Sequence, residues 1–419
     1  MKLGRFYLMF ILAFSSIFGV LRRHDVEDYQ FQRFGLDPSF LHVGMVECSN
    51  GRGTGTLIDP RTVLTAAHVT GDCKTAYFTL YNHSGLSKKV IRGEVMPHFA
   101  YFQHKYLGST LIRENSNDLA MIRLKERVDD IIPGEICYSP QNNPVLCYSA
   151  GFGYSGTGLD DEWENDHQKR GFTNILEGNY PWDGNSRYLQ ISFDSPENPS
   201  VTHLEGMGAF GDSGGPIFVD IENKKQLIGV ISMLTLEGAY GAKNLLIPVE
   251  DYKDWIEENR FTKYAFLSGQ SCNWDDKKTW IGERVPQNKR FAYYEVLLDK
   301  PISLKMENNH TIDFLKITHK DAYLELLRPL FISKLEIIDG SIELSHDGLG
   351  LAKIHVEGPA QLGGSLFINA YKIPYEEGDQ VTLIEAESIK GRFKKIAIDT
   401  DIECHLLYTP TKVKLIFKG

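Results

Sequence analysis

The sequence lacks the features of several common protein classes. Its 419 residues include only 6 cysteines, too few for a scaffold held together by disulfide bonds, so any bridges would be local additions to domains with their own cores. Positive charge is not in excess, because 45 Lys and Arg residues face 55 Asp and Glu residues, a net charge of −10. Since there is also no long basic cluster, we expect no binding to nucleic acid. The apolar share of 42% and the charged share of 24% exclude a disordered or collagen-like chain.

Long hydrophobic runs are also missing. The main apolar run covers residues 6–14 and follows two basic residues. At its end, Ala13 and Ser15 form a small-x-small pair for a signal peptidase. This pattern predicts a secretory signal peptide over residues 1–20; a cut after Gly19 is an alternative. An uncleaved membrane anchor is the other interpretation, but the run falls short of the ~20 apolar residues that a spanning helix needs. We therefore expect a secreted protein, extracellular or periplasmic, without stable membrane insertion.

The pattern of apolar and polar residues changes twice along the chain, and the length of the chain is typical of two domains. Between residues 40 and 249, short runs of Val, Ile, Leu, Phe and Tyr are broken by Gly, Asn, Asp and Pro, which predicts many short antiparallel strands. Apolar residues then recur at helical spacing over residues 248–261. Longer alternating runs follow. We predict a first domain over residues 21–261 and a second, β-rich domain over residues 262–419.

Metal-ligand patterns are absent from the second domain and weak in the first. The interval 156–170 is polar throughout and predicts a solvated loop. A calcium site is the alternative there, but the acidic residues do not alternate as an EF-hand loop requires. These acidic residues are Asp160, Asp161, Glu162, Glu164 and Asp166. We expect no metal and no other cofactor.

Three short motifs carry the chemistry and follow one another in the order His, Asp, Ser. They are Leu64-Thr65-Ala66-Ala67-His68, Asn117-Asp118-Leu119-Ala120 and Gly211-Asp212-Ser213-Gly214-Gly215-Pro216. A serine hydroxyl is a weak nucleophile at neutral pH, so Ser213 needs a base, and His68 is the residue type suited to that task. Asp118 would hold the imidazole in the right tautomer and stabilise the imidazolium. The backbone N–H groups of Gly211 and Ser213 would converge on the developing oxyanion.

With these motifs the chain resembles the chymotrypsin/trypsin family of serine endopeptidases. The likeness extends from about residue 43 to residue 255 and covers about half of the chain. It implies an all-β fold of two six-stranded barrels with a C-terminal helix, an acyl-enzyme mechanism, and a protein or peptide as substrate. It also implies that Ser232 lies beside Asp118 and helps to orient it. The rival interpretation from another class is a secreted binding or adhesion protein on a protease-like frame.

Activation is the first departure from the family pattern. Members of the family generally activate when a freed N-terminal amine, typically at Ile-Val-Gly-Gly, forms an ion pair with the Asp before the nucleophile. Asp212 is present for this structural ion pair, but that N-terminal sequence is not. Three routes stay open: signal cleavage exposes a usable amine, processing occurs at Arg22-Arg23, or other donors hold Asp212.

The cysteines depart as well, since no cysteine directly follows His68. Three local pairs are the economical arrangement, with buried thiols as the alternative. The predicted pairs are Cys48 with Cys73, Cys137 with Cys147, and Cys272 with Cys404.

The residues of the specificity pocket are the third departure. The position six before the nucleophile, an Asp in trypsin-like members that bind basic side chains, is Met207. By the same resemblance Met233 and Leu234 stand where a small Gly usually opens the pocket wall. We therefore expect a narrowed or apolar pocket that accepts small or hydrophobic residues and disfavours Arg and Lys.

The second domain has its own, looser resemblance. Residues 363–368, 378–384 and 391–393 resemble the end of the β-helical passenger regions of bacterial autotransporters. This implies a short β-solenoid, with a plain β-sandwich as the alternative. We expect an accessory or substrate-positioning domain attached to a secreted bacterial serine endopeptidase.

Overall fold

The computed structural model describes residues 20–49, 51–101, 117–139, 144–160, 166–180, 187–235, 239–269, 272–289, 292–346, 348 and 350–418. The predicted signal peptide, apart from its last residue, lies outside these residues. The chain divides into two compact units between Glu258 and Asn259.

Unit 1 begins with a short strand and a helix. Strand β1 is Leu21–Arg22, helix α1 is Asp28–Gly35, and a single 3₁₀ turn covers Pro38–Phe40. Helix α1 packs closely on the chain at residues 170–171, because a Cβ at Gly35 would lie 2.5 Å from the Arg170 carbonyl carbon. The helix therefore depends on a glycine at its close approach to a later strand.

Six strands of unit 1 form a first closed barrel in the order β2-β3-β4-β7-β6-β5. Neighbouring strands pair antiparallel throughout. Their bounds are β2 Val43–Cys48, β3 Gly51–Asp59, β4 Thr62–Thr65, β5 Thr75–Tyr81, β6 Ser87–Pro97 and β7 Ala120–Leu124, with the short helix α2, Ala67–Thr70, after β4. Alternating apolar residues such as Val46, Leu57 and Phe78 are fully buried, so the barrel encloses a packed core.

A second closed barrel follows in the order β14-β9-β11-β12-β16-β15, with β14 also paired to β15 and β8 attached to β15. Strands β10 and β13 pair instead with β1 on its two sides. The bounds are β8 Glu135–Ile136, β9 Val145–Gly151, β10 Gly156–Thr157, β11 Arg170–Asn179, β12 Leu189–Ser192, β13 Gly206–Met207, β14 Pro216–Ile221, β15 Lys224–Leu234 and β16 Lys243–Pro248. A 3₁₀ turn, Val249–Tyr252, and helix α3, Lys253–Asn259, end this part of the chain, as the helical spacing predicts.

The interval 156–170 is only partly the solvated loop that its polarity predicts. Its first residues form β10, and its last residues are buried. The Lys169 ammonium donates hydrogen bonds to the carbonyls of Phe40 and Val43, while Arg170 makes paired hydrogen bonds to Asp28 and to Asp166. Burial of these cations is tolerated because each has hydrogen-bond acceptors. Phe40, Val43 and Asp28 are far away in the sequence, whereas Asp166 belongs to the same interval. Residues 161–165, with three of the acidic side chains, lie outside the described residues.

Unit 2 is built from stacked parallel strands. One sheet has the order β17-β18-β20-β22-β24-β27, with β25 and β28 beside it, and another has the order β19-β21-β23-β26-β29. The bounds are β17 Thr262–Ala265, β18 Tyr293–Leu298, β19 Ile302–Met306, β20 His310–Ile317, β21 Ala322–Leu326, β22 Leu330–Ile337, β23 Ser341–Leu344, β24 Ile354–Val356, β25 Pro359–Leu362, β26 Ser365–Asn369, β27 Gln380–Glu385, β28 Ser388–Gly391, β29 Lys395–Asp399, β30 Cys404–Tyr408 and β31 Lys412–Phe417, with a 3₁₀ turn at Lys277–Thr279.

The parallel register stacks buried side chains directly above one another. Leu304, Leu324, Ile342 and Leu366 are aligned in successive strands and are at most 1% exposed. The antiparallel strands β31 and β30 follow β27 at the end of the first sheet. This is the topology of a solenoid rather than of a sandwich. The predicted fold class, two closed six-stranded barrels followed by a further β-rich region, is confirmed.

The three predicted disulfide bonds are not formed by the six cysteines, all of which the structure describes. Cys137 and Cys147 pack in the same core cluster of the second barrel, but no bond joins them. The third pairing conflicts with the topology. Cys272 accepts a hydrogen bond from Lys305 at the start of one stack of parallel strands, whereas Cys404 lies in β30 at the last position of the other sheet. Strands are ~4.8 Å apart, so several strand spacings exceed the reach of a disulfide.

Candidate active site

His68 and Asp118 form a double contact in unit 1. The His68 Nδ1 atom lies 2.7 Å from Asp118 Oδ2, and the backbone N–H of His68 donates to Asp118 Oδ1 at 2.8 Å. Asp118 has no exposed surface, whereas the His68 side chain is 33% exposed. The histidine can therefore meet a ligand while its partner carboxylate is shielded from water.

The electrostatics of this pair favour an ionised carboxylate. Burial raises the pKa of Asp118, but the charge of His68 and the hydrogen bonds from His68 and Ser232 outweigh it, and the net pKa lies below its ordinary value. Burial lowers the pKa of His68, but the charge and the hydrogen bond of Asp118 outweigh that effect and raise the pKa above its ordinary value. Asp118 thus supports a protonated imidazole.

The local backbone conformation positions the side chains of both His68 and Asp118. His68 lies in α2, directly after β4 ends at Thr65. Asp118 follows Asn117, which has a positive φ of 65°, a conformation that Asn tolerates better than most residues. The Tyr252 hydroxyl accepts a hydrogen bond from the Asn117 N–H at 3.1 Å, and this contact supports the strained residue just before the carboxylate.

Ser232 reaches Asp118 from the second barrel. Its hydroxyl donates to Asp118 Oδ2 at 2.6 Å, and the residue is 6% exposed. The register between β15 and β16 shifts between Ile231 and Met233, so a bulge at Ser232 re-aims its side chain. The resemblance implies that Ser232 lies beside Asp118, and the distance agrees.

Ser213 lies on a tight turn next to the residues that precede His68. Its carbonyl accepts a hydrogen bond from the Thr54 N–H at 2.8 Å. Gly214 has a φ of 81°, and a Cβ there would lie 2.1 Å from the hydroxyl of Thr65, three residues before His68. Only glycine fits that position. The turn therefore packs against the end of β4, where the chain enters α2.

Two backbone amides stand free on this turn. In the described part of the chain, neither the Gly211 N–H nor the Ser213 N–H donates a hydrogen bond. Gly211 has a φ of 89°, and its carbonyl accepts from the Thr54 hydroxyl at 3.0 Å. Both amides are thus available to an anionic oxygen beside Ser213.

Asp212, between these two residues, points inward. It is 1% exposed, and its carboxylate accepts hydrogen bonds from the N–H groups of Gly153 at 2.9 Å and Ala209 at 3.2 Å. Burial raises the pKa of Asp212 to about 7, against the opposing effect of these hydrogen bonds. Donors other than an N-terminal amine therefore contact Asp212 in this chain.

Met207 is fully buried in a small apolar cluster. It is paired in register with Leu21 of β1 and packs with Leu21, Phe193, Ala209 and Ala242, with Leu234 at the edge. Met233 is half-buried in β15, where it pairs with Leu245. The candidate pocket residues Met207 and Leu234 are brought together, whereas Met233 is not part of this cluster.

Asn244 is a further residue of this region that the sequence motifs do not reveal. Its side-chain oxygen accepts from the Gly208 N–H at 2.7 Å, and its NH₂ donates to the Gly208 carbonyl at 2.7 Å. It fixes the residue that follows Met207. The available sequence signal is an Asn inside the apolar run of β16, because Asn is disfavoured in strands unless its side chain has a task.

Within the described residues, no group of three or more His, Cys, Asp or Glu side chains could hold a metal ion. No helix of that same part of the chain is long and apolar enough to cross a membrane.

Two closed barrels with a buried Asp, a His and a Ser at adjoining turns define the class of the serine proteases with a double barrel. The family model Trypsin matches residues 37–256, and the chain belongs to this family. It is 23% identical over 231 residues to the complement C1s subcomponent of Sus scrofa, a match that covers 50% of this chain and 32% of that protein. The chain thus spans about a third of this relative's length. A solved structure described as neuropsin, a serine protease expressed in the limbic system of mouse brain, is 18% identical, with a TM-score of 0.41, over 53% of this chain and 95% of that one.

Proposed function

We propose that this chain is a serine endopeptidase in which Ser213 attacks a peptide carbonyl and forms an acyl-enzyme. The observation that carries the proposal is the contact of Asp118 with both His68 and Ser232, in a chain of the trypsin family whose Ser213 turn packs against the end of β4. A buried carboxylate in this contact has a clear chemical task, which is to orient an imidazole and stabilise its protonated form.

In the proposed mechanism, His68 takes the proton of the Ser213 hydroxyl as the oxygen attacks the carbonyl carbon. Asp118 stabilises the imidazolium, and His68 then gives the proton to the leaving amine as the peptide bond breaks. A water molecule then attacks the acyl-enzyme, with His68 again as the base, and releases the acid product from Ser213. The N–H groups of Gly211 and Ser213 donate hydrogen bonds to the oxyanion, and the loss of such a donor typically costs roughly 2.7–4 kcal/mol of barrier.

A fluorophosphonate probe tests this proposal, because it labels only an activated serine. The wild-type chain should label at one site, and Ser213→Ala should abolish labelling. Both Ser213→Ala and His68→Ala should lower kcat on peptides by roughly 10⁴–10⁶, with the double variant little worse. Ser200→Ala, at an exposed serine of the same unit, is the matched control and should label normally. A folded wild-type chain that does not label would favour a binding protein on a protease-like frame.

We also propose that the substrate side chain before the cut is small or hydrophobic. Met207 and the neighbouring Leu21, Phe193, Ala209 and Ala242 all have apolar side chains, so a basic side chain would find no partner among them. A cleavage profile on a random peptide library should show a broad apolar preference, since an apolar slot separates side chains by only ~1–3 kcal/mol per methylene. A profile dominated by Arg or Lys would contradict this assignment of Met207.

Secretion is part of the proposed function, and signal removal supplies the amine for Asp212. Val20 is 1% exposed and Leu21 is fully buried. Leu21 packs in the same cluster as Ala209, whose N–H donates to Asp212. Cleavage after Gly19 would place a cationic amine at the start of β1, whereas a cut after Arg23 would remove that strand. A chain that starts at Val20 should label faster than one that starts at His24, and equal rates would reject this route.

Unit 2 is proposed as an accessory unit that positions substrate. It carries no candidate triad, and its stacked parallel strands agree with a short solenoid. A bacterial source is part of the proposal, and its support is the resemblance of residues 363–393 to autotransporter passengers.

A further inference from the structure

The two sheets of unit 2 do not end at the same level. Strand β29 is the last strand of the smaller sheet and pairs only with β26. The larger sheet continues past β27 with β31 and β30. Among the described residues, therefore, the smaller sheet has no strand beyond β29, and one long side of β29 is an open sheet edge.

The backbone of β29 presents hydrogen-bonding groups along this open edge. The Ala370 N–H donates to the Asp399 carbonyl at 2.8 Å, so Asp399 directs its backbone groups toward β26. Since alternate residues of a strand direct these groups to opposite sides, Ala397 also faces β26, whereas Ile396 and Ile398 face the open edge. Neither isoleucine has a backbone partner on that side among the described residues, and such groups are strong donors and acceptors.

The column of apolar side chains inside unit 2 ends at the same edge. Leu304, Leu324, Ile342 and Leu366 are stacked in register, and Ile396 is the next residue of this column. Leu366 has no exposed surface, whereas Ile396 is 45% exposed. A further strand on β29 would therefore cover the side chain of Ile396 and supply partners for its backbone groups.

The charges beside the open edge are unevenly distributed. Exposed basic residues lie just before β29 and at its start, and exposed acidic residues lie at its end and beyond it. The basic residues are Lys390, Arg392, Lys394 and Lys395, and the acidic residues are Asp399, Asp401 and Glu403. Asp339 lies 3.8 Å from Lys394, and Lys418 forms an ion pair with Glu403. A strand that places acidic residues beside Lys395 would meet opposite charge, although the whole chain has a net charge of −10.

We propose that the open edge of β29 binds an extended segment of a partner protein. The segment adds as an antiparallel strand, with apolar residues facing Ile396 and Ile398 and with acidic residues at its C-terminal end, beside Lys395. The antiparallel direction is the more stable one per residue. In the larger sheet β31 and β30 continue past the level of β29, so one strand fits there better than the end of a second copy. The residues that carry this proposal all belong to unit 2, so it does not depend on the candidate triad.

Binding of a synthetic peptide, measured by fluorescence anisotropy, tests this proposal. The probe is a fluorescent peptide of alternating Val and Thr that ends in several Glu residues. The full chain should carry Ser213→Ala, so that the proposed endopeptidase cannot consume the probe. In an antiparallel pair, residues that exchange hydrogen bonds also share a face, so the valines that cover Ile396 and Ile398 are the residues that bond to β29.

Backbone methylation of the peptide separates strand addition from attraction of charge alone. Methylation of the valine nitrogens should weaken binding roughly tenfold or more, because it removes the donors to β29. Methylation of the threonine nitrogens, which face away from β29, is the matched control and should weaken binding much less. Equal affinity of the two methylated peptides would show that the peptide does not add as a strand, and would overturn the proposal.

A charge variant and amide exchange locate the bound peptide. Lys395→Glu should weaken binding roughly three- to tenfold, because it brings like charges together, whereas Lys320→Glu, at an exposed turn before β21, should bind normally. The bound peptide should slow amide exchange at Ile396 and Ile398 and leave Ala397 unchanged. Unchanged exchange at both isoleucines would overturn the proposal. A dimer of the chain that protects the same two amides and excludes the peptide would also overturn it, in favour of a second copy.

Discussion

Asp118 makes the contacts that a carboxylate needs in order to orient the imidazole of His68. One of its oxygens accepts the His68 backbone N–H, and the other accepts from the imidazole and from Ser232. Because the residue has no exposed surface, water cannot replace these partners. The position of His68 therefore depends on a carboxylate rather than on any small polar side chain.

Replacing this carboxylate by an amide of the same size tests the contribution of its negative charge. Asp118→Asn should lower kcat roughly 10⁴-fold, because an amide can donate to the imidazole and favour the wrong tautomer. The remaining activity should have a changed pH profile. In the wild type the rate should fall as the pH drops through the His68 pKa, which lies above 6.5, and the variant should shift this limb to lower pH. Rates of fluorophosphonate labelling between pH 5 and pH 9 measure both effects, with the exposed Asp254→Asn as the control. If the acidic limb of the labelling profile does not shift in the variant, His68 is not the titrating base.

His42 is a buried histidine that has no carboxylate partner among the described residues. Its behaviour is therefore opposite to that of His68. Its Nε2 atom has no hydrogen-bond partner within the described residues, and its ring packs edge-on against Phe218 at 5.4 Å. Burial and the charge of Lys169 lower the pKa of His42 to about 3. His42 thus stays neutral in the fold at pH values where it is protonated in the unfolded chain.

This shift predicts a specific loss of stability in acid. Between pH 6.5 and about pH 3 the unfolded chain takes up a proton that the folded chain does not, so His42 lowers the free energy of unfolding as the pH falls. The slope is at most about 1.4 kcal/mol per pH unit. His42→Leu should remove this part of the slope in denaturant unfolding measured at pH 7, 6, 5 and 4. The exposed His83→Leu is the control. A slope that is the same in His42→Leu and wild type would show that other groups carry the acid sensitivity.

At the scale of elements, the end of β9 fixes the turn that carries the nucleophile. A Cβ at Gly151, the last residue of β9, would lie 1.9 Å from Asp212 Oδ1. The carboxylate occupies the space that a side chain would take, and it accepts from Gly153 just beyond the strand. Strand β9 and the Ser213 turn therefore fit together only with glycine at this position.

Gly151→Ala should push Asp212 out of its place and misalign Ser213. We expect probe labelling to slow by roughly 10²-fold and the free energy of unfolding to fall by about 1–3 kcal/mol. Gly229→Ala in β15 is the matched control, because a Cβ there meets its neighbours at ordinary distances of 3.4–3.8 Å. Normal labelling by a folded Gly151→Ala variant would show that the position of Asp212 does not govern the nucleophile.

The strands and motifs could be predicted from sequence where the signal is local. The alternation in Ile302–Met306 and Ala322–Leu326 matches β19 and β21, and the apolar spacing after Pro248 matches the 3₁₀ turn and α3. Alternation places side chains on two faces but does not reveal the direction of the neighbouring strand. The sequence of unit 2 therefore does not distinguish a solenoid of parallel strands from a sandwich.

Contacts between distant segments could not be predicted from local patterns, although the family resemblance implies those of Asp118 with His68 and Ser232. Strand β1 has two residues and pairs with β10 and β13, which are far away in the chain, and no periodicity exists in so short an element. Arg170 looks like part of a polar loop because its partner Asp28 belongs to α1. Ser232 and Asp118 meet only because a bulge in the second barrel turns a side chain toward the first barrel.

At the scale of the whole molecule, each unit has hydrophobic clusters of its own among the described residues. The cluster of unit 2 contains only residues between Ala265 and Phe417, and the two clusters around the second barrel contain only residues between Val20 and Leu246. None of these clusters shares a residue with another. Each unit therefore has the apolar packing that a domain needs for its own stability.

Separate hydrophobic clusters predict that unit 2 can be weakened while the chemistry of unit 1 continues. Leu324→Ala removes a fully buried side chain from the ladder of parallel strands and should lower the free energy of unfolding of unit 2 by about 2–5 kcal/mol. Hydrogen exchange read by mass spectrometry should then rise in residues 302–344 and stay unchanged in β14 and β15. The same change at the exposed Leu407 of β30 should leave exchange in both units as it is. Labelling of Ser213 by the small fluorophosphonate should keep its wild-type rate in both variants, because no residue of unit 2 belongs to the clusters that pack around Met207. Slower labelling in Leu324→Ala alone would show that the active site of unit 1 depends on the order of unit 2.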